Sequence, residues 1–131
     1  MPYGETLDSE TERFAGVIVD SIFKVHLELG PGLLESIYEE CLVLELESRG
    51  LRVRRQVEVP IFYLGKRLEN PLRLDVLVEE CIIIEVKSVV ALNPVFFNAT
   101  RSYLTLSKKR LGFLVNFNVV LIKDGIKRVI V

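Results

Sequence analysis

Two carboxylates and a lysine lie in or directly beside a largely apolar pair of predicted strands. The segments 72–78 and 81–86 are apolar and β-branched, and an acidic dipeptide separates them, a pattern typical of two strands joined by a tight turn. Asp75 lies in the first strand, Glu85 in the second, and Lys87 directly after it. Side chains alternate along a strand, so Glu85 and Lys87 lie on one face. Antiparallel pairing then places Asp75 almost opposite Glu85.

This cluster predicts metal-assisted chemistry on phosphate. Desolvating such charges costs several kcal/mol each unless they pair or bind a metal. Carboxylate oxygens suit Mg²⁺ or Mn²⁺, which activates water and neutralises charge at phosphorus, and a lysine stabilises a developing oxyanion. We expect Asp75 and Glu85 to be metal ligands, with the Val86 carbonyl as a further ligand. Glu35, in the first turn of a predicted helix, is a fourth candidate because the helix dipole favours its ionised form.

The elements around the cluster predict an α/β domain with a mixed central sheet, in the order α-α-β-β-β-α-β-β-β. A capping box at Ser9–Glu12 precedes the first helix of about 20 residues, and a glycine–proline segment ends it. The remaining expected elements are a helix over 33–48, strands over 52–63, 72–78, 81–86, 111–116, 119–122 and 127–131, and a helix over 95–107. A hairpin turn is expected at Asp124–Gly125.

Composition restricts the class of protein. At 131 residues the chain fits one domain spanning 1–131, and no apolar run approaches the roughly 20 residues of a membrane span. The polar amino-terminal segment is not expected to be a signal peptide. Cys41 and Cys81 resemble buried, reduced thiols of a cytoplasmic protein, and His26 is the only histidine. Sites built from several histidines are therefore disfavoured.

Charge is distributed unevenly along the chain. Residues 1–50 have 11 acidic and 3 basic side chains, and residues 51–131 have 7 acidic and 14 basic ones, so the formal charges are −8 and +7. This separation favours either a positive face for a polyanion or self-association as a homodimer. The apolar segment 115–122 could form a sheet edge that pairs with a second copy.

The residues resemble those of a known group of enzymes. Asp75 followed after nine residues by Glu85-Val86-Lys87, with a glutamate-bearing helix upstream, is similar to the PD-(D/E)XK nuclease superfamily. Gly32–Tyr38 (GLLESIY) resembles the motif of the small GxxExxY proteins, and the likeness extends over about residues 12–130. The resemblance implies a restriction-endonuclease-like fold and a metal and catalytic centre of Glu35, Asp75, Glu85 and Lys87, with Gln56 nearby.

One stretch departs from that pattern. After Asn93-Pro94-Val95, relatives usually have a histidine and a glutamate, and then a glutamine four residues before a tyrosine. This chain has Phe96, Phe97 and Ala99 at those places and keeps Tyr103. Because the glutamine and tyrosine assist the active site in many enzymes of the superfamily, metal or nucleic-acid binding is better supported than efficient cleavage.

Several residues have a structural interpretation beside the functional one. Glu35 could simply cap its helix from the third helical position, after Gly32, and Tyr38 could be a core residue or bind a site carboxylate. His26 is expected to be a partly exposed packing residue. The basic clusters 52–55 and 108–110 could either keep the protein soluble or contact phosphates of nucleic acid. Asn116 and Asn118 are expected to cap and turn the end of a strand.

Together these features predict a magnesium-dependent nuclease, with DNA favoured over RNA as the substrate and no membrane partner. One alternative is a weakly active or inactive module of the same fold that binds nucleic acid or a protein. A second alternative is a purely structural dimeric protein.

Overall fold

The computed structural model describes residues 7–131. The first six residues, part of the segment predicted not to be a signal peptide, lie outside this range. In chain order the elements are α1 (Ser9–Leu29), α2 (Glu35–Ser48), β1 (Val53–Val59), β2 (Phe62–Tyr63), β3 (Lys66–Arg67), β4 (Leu72–Val78), β5 (Ile82–Lys87), α3 (Pro94–Ser107), β6 (Leu111–Asn116), a 3₁₀ turn (Ile122–Gly125) and β7 (Ile126–Ile130).

Five of these strands form the expected mixed sheet, in the order β1-β4-β5-β6-β7. Only β5 and β6 run parallel, and α3 connects them, as a parallel pair requires. The predicted fold class, a restriction-endonuclease-like α/β domain with a mixed central sheet flanked by helices, is confirmed.

Each face of the sheet has its own apolar core. One face packs against α1 and α2, with Ile18, Tyr38 and Ile84 among its fully buried side chains. The other face includes Leu104 of α3 and Ile83 of β5. Since β5 contributes to both faces, its near-continuous apolar sequence follows from burial on two sides.

The helix starts differ slightly from the predictions. Asp8, rather than Ser9, caps α1, because its carboxylate accepts a hydrogen bond from Thr11 N at 2.7 Å. The second helix begins at Glu35, two residues later than expected, and its cap residue Leu34 provides no side-chain hydrogen bond.

The strand predicted over 119–122 is wrong, and so is the hairpin turn at Asp124–Gly125. The segment after β6 bends and enters the 3₁₀ turn. Gly125 lies directly against the Asn116 carbonyl, where an added Cβ would be 2.2 Å from that oxygen, so this close approach requires glycine. The predicted sheet edge within 115–122 is also wrong, because β6 lies between β5 and β7.

His26 is buried rather than partly exposed, and its Nε2–H donates to the Val119 carbonyl at 2.8 Å. This bond fastens the loop after β6 to α1. No helix within residues 7–131 combines the length and apolar character needed to cross a bilayer.

Candidate active site

Asp75 and Glu85 lie side by side where the regular pairing of β4 and β5 stops. The last regular pair is Val76 with Ile84. Beyond it, Glu85 Oε2 accepts a hydrogen bond from Asp75 N at 3.1 Å, and Asp75 Oδ2 accepts one from Val86 N at 2.9 Å. The two carboxylates thus replace main-chain partners across the strand pair, and they lie together as the strand pattern predicts.

The sheet is irregular at this level. Leu74 packs in the core on the α3 side, whereas Val76 packs in the core against α1 and α2. Residues two apart on a regular strand share a face, so the alternation of β4 breaks at Asp75. Gln56, at the corresponding position of β1, has a positive φ of 51° and no ladder partner. The break frees the Asp75 amide for the Glu85 carboxylate.

Burial dominates the electrostatics of the pair. Desolvation raises the pKa of Glu85 to about 8, and the adjacent Asp75 carboxylate contributes to the same rise. The pKa of Asp75 is also raised, first by burial and then by Glu39 and Glu35, while the Val86 amide and the Lys87 ammonium lower it. Two such carboxylates share a proton or are neutralised by a cation, because like charges this close cannot both ionise freely.

Lys87 is near the carboxylates but is held by an aromatic ring. Its charge lowers the pKa of both Asp75 and Glu85, yet among the ion pairs of the described residues none joins Lys87 to either carboxylate. Its Nζ instead lies 4.8 Å from the centre of the Phe96 ring. Phe96, one of the departures from the pattern of relatives, therefore positions the lysine.

Glu35 lies at the rim of the site and does not act as a helix cap. It is the first residue of α2, and its Oε2 accepts a hydrogen bond from Ser88 N at 3.2 Å. The Ser88 hydroxyl donates to the Leu33 carbonyl at 2.6 Å. The interpretation of Glu35 as a third-position cap after Gly32 is wrong, because the side chain joins the start of α2 to the end of β5.

Val86 contributes its main chain at this point. Its amide binds Asp75, as described above, and its side chain is buried in the core against α1 and α2. The residues before and after it therefore direct their side chains to the other face, as alternation along a strand requires.

Glu39 belongs to the site although the sequence interpretation did not select it. The side chain is buried, raises the pKa of Asp75, and accepts hydrogen bonds from Arg55 Nε and Gln56 Nε2, both at 3.0 Å. Gln56 therefore lies near the site, as the resemblance implied. The available sequence signal was spacing, because Glu39 follows Glu35 by four residues and residues four apart share a helix face.

Tyr103 of α3 lies on the face of the sheet opposite α1 and α2, the face to which the Glu85 side chain is directed. Burial raises the pKa of its hydroxyl, and the charges of Glu85 and Asp75 raise it further. Ala99, four residues earlier, has no polar group to offer there, and Phe97 is exposed. The tyrosine of the family pattern is in place, and its glutamine partner is not.

Two residues near the site are structural. Tyr38 is fully buried and stacks on Phe117 with ring centres 4.5 Å apart. Its hydroxyl donates to the Gly30 carbonyl at 2.5 Å and accepts from Leu33 N at 3.1 Å, so it holds the loop before α2 rather than a site carboxylate. Asn116 pairs with the main chain of Val89 through both its oxygen and its nitrogen, which fixes the segment after β5 as a strand end.

The basic cluster at 52–55 is neutralised by acidic partners. Arg52 pairs with Glu79 and Arg54 with Glu80, at 3.0 and 2.7 Å. Arg55 pairs with Glu39. These arginines link β1 to the turn after β4 and to α2, and the ion pairs compete with any phosphate contact.

The oxygen ligands at this point fit a hard cation. Within residues 7–131, no three histidine, cysteine, aspartate or glutamate side chains form a ready-made metal group. Mg²⁺ commonly binds through one or two carboxylates and keeps several waters, so the pair Asp75 and Glu85 with a main-chain carbonyl is a sufficient set. Their raised pKa values mark a place where a cation would relieve repulsion.

Comparison with known proteins identifies one family. The family model described as the PD-(D/E)XK nuclease superfamily matches residues 12–129. No curated protein and no solved structure matches the chain. The matched range contains the carboxylate pair, Lys87, Glu35 and Glu39.

Proposed function

Because this chain belongs to the PD-(D/E)XK nuclease superfamily, we propose that it hydrolyses nucleic-acid phosphodiester bonds at Asp75 and Glu85 with Mg²⁺ or Mn²⁺. The observation that carries this proposal is the exchange of hydrogen bonds between the two carboxylates and the opposite main chains. Such bonds fix both oxygen ligands on a rigid sheet, which a metal centre needs.

Each residue has a defined task in this proposal. Asp75 and Glu85 hold the cation together with the Val86 carbonyl, and Glu35 completes the site from its rim. When bound, the cation supplies charge neutralisation at phosphorus and activation of water. Lys87 donates hydrogen bonds to the phosphate oxygens on which charge develops. Glu39 holds Gln56 and Arg55 beside the site.

The finer assignments are also part of the proposal. The Gly32–Tyr38 motif supports membership of the GxxExxY proteins. The likeness to restriction endonucleases favours DNA over RNA. Cys41 and Cys81 are both free thiols, which suits a cytoplasmic location. A homodimer remains a proposal supported by charge segregation and by the exposed side chains of Leu27 and Val120.

The test is calorimetric titration of Mg²⁺ and Mn²⁺ into wild type and Asp75→Asn, followed by incubation with single- and double-stranded DNA and RNA. Asparagine keeps an oxygen that accepts from Val86 N, so the fold is retained while one ligand charge is lost. We expect cleavage to fall by on the order of 10³-fold, because several kcal/mol of metal stabilisation disappear. Asp124→Asn, an exposed residue of the 3₁₀ turn, is the matched control.

The proposal is supported if Asp75→Asn loses both metal binding and cleavage while the control Asp124→Asn keeps both. Wild type that binds neither cation contradicts the assignment of Asp75 and Glu85 as ligands. Cleavage that persists in Asp75→Asn places the chemistry elsewhere.

A second candidate is a weakly active relative that chiefly binds nucleic acid or a protein. The observation in its favour is the contact of Phe96 with Lys87, together with Ala99 where relatives have glutamine. Ala99→Gln separates the two candidates. A rise in metal-dependent cleavage of about 10-fold or more supports a weakened nuclease, since positioned polar groups commonly contribute this much. Binding without cleavage in both proteins favours the binding module.

A further inference from the structure

A small β-ribbon projects between β1 and β4. Phe62 pairs with Arg67 and Tyr63 with Lys66 in the antiparallel strands β2 and β3. The Leu68 amide donates to the Ile61 carbonyl at 2.8 Å, which extends the ribbon by one step toward the domain. Residues 62–67 are all exposed, so the ribbon belongs to neither core of the described chain.

The tip of the ribbon is conformationally costly. Leu64 and Gly65 form the turn with φ values of 53° and 77°, which is the type I′ geometry. Asparagine or glycine normally takes the first of these positions, whereas a leucine there is strained. Leu64 is nevertheless 88% exposed and buries almost nothing in the fold. An apolar side chain kept in this conformation at a solvent-exposed tip has no structural explanation within the domain.

Each face of the ribbon presents one aromatic ring and one cation. Directly paired residues share a face, so Phe62 lies with Arg67 and Tyr63 with Lys66. The rings are 60% and 69% exposed. Among the ion pairs of the described residues none involves Lys66 or Arg67, in contrast to the arginines of β1. The ribbon therefore combines apolar surface for bases with free charge for phosphates.

The ribbon lies at the active-site end of the sheet. It leads into β4 at Leu72, and Asp75 follows three residues later, about 10 Å along the strand. Strand β5 runs antiparallel to β4, so its carboxyl end, with Glu85 and Lys87, lies at this same end. A strand of nucleic acid whose phosphate reaches Asp75 and Glu85 can extend onto the ribbon.

We propose that the β2–β3 ribbon is a substrate-binding element that stacks unpaired bases on Phe62 and Tyr63, packs Leu64 against them and contacts phosphates through Lys66 and Arg67. This inference rests on the proposed nuclease function and gives it a substrate class: single-stranded nucleic acid or an unpaired segment next to a duplex. Stacked faces of bases are accessible in single strands and are covered in an intact duplex, so exposed rings beside cations favour the unpaired form.

The test measures binding by fluorescence polarisation in EDTA, where metal-dependent cleavage is absent, with a labelled 20-nucleotide oligo-dT and a blunt 20-base-pair duplex. Wild type should bind the single strand at least about 10-fold more tightly. Phe62→Ser/Tyr63→Ser should weaken single-strand binding by about 10-fold or more and leave duplex binding almost unchanged. Lys66→Ser/Arg67→Ser should weaken both and, by removing two phosphate contacts, reduce the slope of log affinity against log salt by roughly 1.4 units for the single strand.

Leu64→Asn tests whether weaker binding could result simply from a less stable ribbon. Asparagine suits the first position of this turn, so the variant should melt at the same or a higher temperature while binding the single strand more weakly. Phe23→Ser/Lys123→Ser is the matched control, because it removes an exposed aromatic ring and a cation from the surface between α1 and the 3₁₀ turn.

The outcomes separate this inference from the proposed function. Ribbon variants that bind like wild type, or equal affinity for duplex and single strand, overturn the inference even if Mg²⁺-dependent cleavage is intact. Ribbon-dependent binding in a protein that never cleaves with Mg²⁺ or Mn²⁺ supports the role of the ribbon and overturns the nuclease proposal.

Discussion

The two halves of the β4–β5 pair differ sharply although one turn joins them. Toward the turn, Val76, Leu77 and Val78 pair regularly with three isoleucines, and all six side chains are buried. Toward the other end, Asp75 and Glu85 replace the ladder with bonds between side chain and main chain. The same two strands thus form apolar core in one half and hold a pair of carboxylates in the other.

This difference shows how a stable sheet accommodates a desolvated charge pair. The apolar half supplies burial free energy in proportion to the area removed from water. The polar half opposes it, since burial raises the pKa of both carboxylates. The apolar half therefore holds the polar half in position.

The largest expected effect tests the apolar half. Ile84→Ala removes a fully buried side chain between Val76 and Phe113. We expect the free energy of unfolding to fall by about 2–4 kcal/mol, from lost burial and the cavity left behind. Urea denaturation measures this, with the exposed Val90→Ala as a control expected to change stability by less than about 0.5 kcal/mol. A loss below about 1 kcal/mol for Ile84→Ala would contradict the rigid-core role.

An effect that is smaller for each pH unit tests the polar half. Because the pKa of Glu85 is raised from 4.5 to about 8, the folded state binds this proton more tightly than the unfolded state. Its stabilising contribution is fully present below pH 4.5 and is lost as pH rises through about 8. In metal-free buffer we expect the free energy of unfolding to fall across this window by at most about 1.4 kcal/mol per pH unit.

Glu85→Gln sharpens that measurement. The amide oxygen still accepts from Asp75 N but cannot ionise, so the fall with pH should be shallower and the variant more stable than wild type near pH 8. The control is Glu58→Gln, because Glu58 is an exposed residue paired with Arg73. This variant should keep the wild-type slope of unfolding free energy against pH. Equal slopes in Glu85→Gln and wild type would show that Glu85 does not hold the proton.

The smallest effect concerns the contact between Lys87 and Phe96. A double-mutant cycle with Lys87→Gln and Phe96→Leu should give a coupling free energy of about 0.5–1 kcal/mol in urea denaturation, as expected for a cation above an aromatic ring. The same cycle with Phe97→Leu should give none, because that exposed ring is not placed over Lys87. Coupling to Phe97 instead of Phe96 would reverse our assignment of which ring positions the lysine.

Much of the fold could be predicted because its signals are local. The 3.6-residue spacing of α1, the acidic turn after Val78 and the β-branched segments each act within a few residues. The register that places Asp75 beside Glu85 followed from the turn alone. The strand expected over 119–122 failed because Val119 and Ile122 can pack on the core from a loop as well as from a strand, and the bond from His26 to Val119 spans 93 positions.

The amino-acid sequence by itself determined the three helices, the five strands of the main sheet and the carboxylate pair with its lysine, since residue type and alternation are enough to specify them. Only the tertiary structure decided what surrounds that pair. The break of β4 at Asp75, the bond from Glu35 to Ser88 and the place of Glu39 beside Gln56 depend on elements brought together across long separations. The pKa of a buried group also depends on its whole surroundings, so no local pattern could have supplied it.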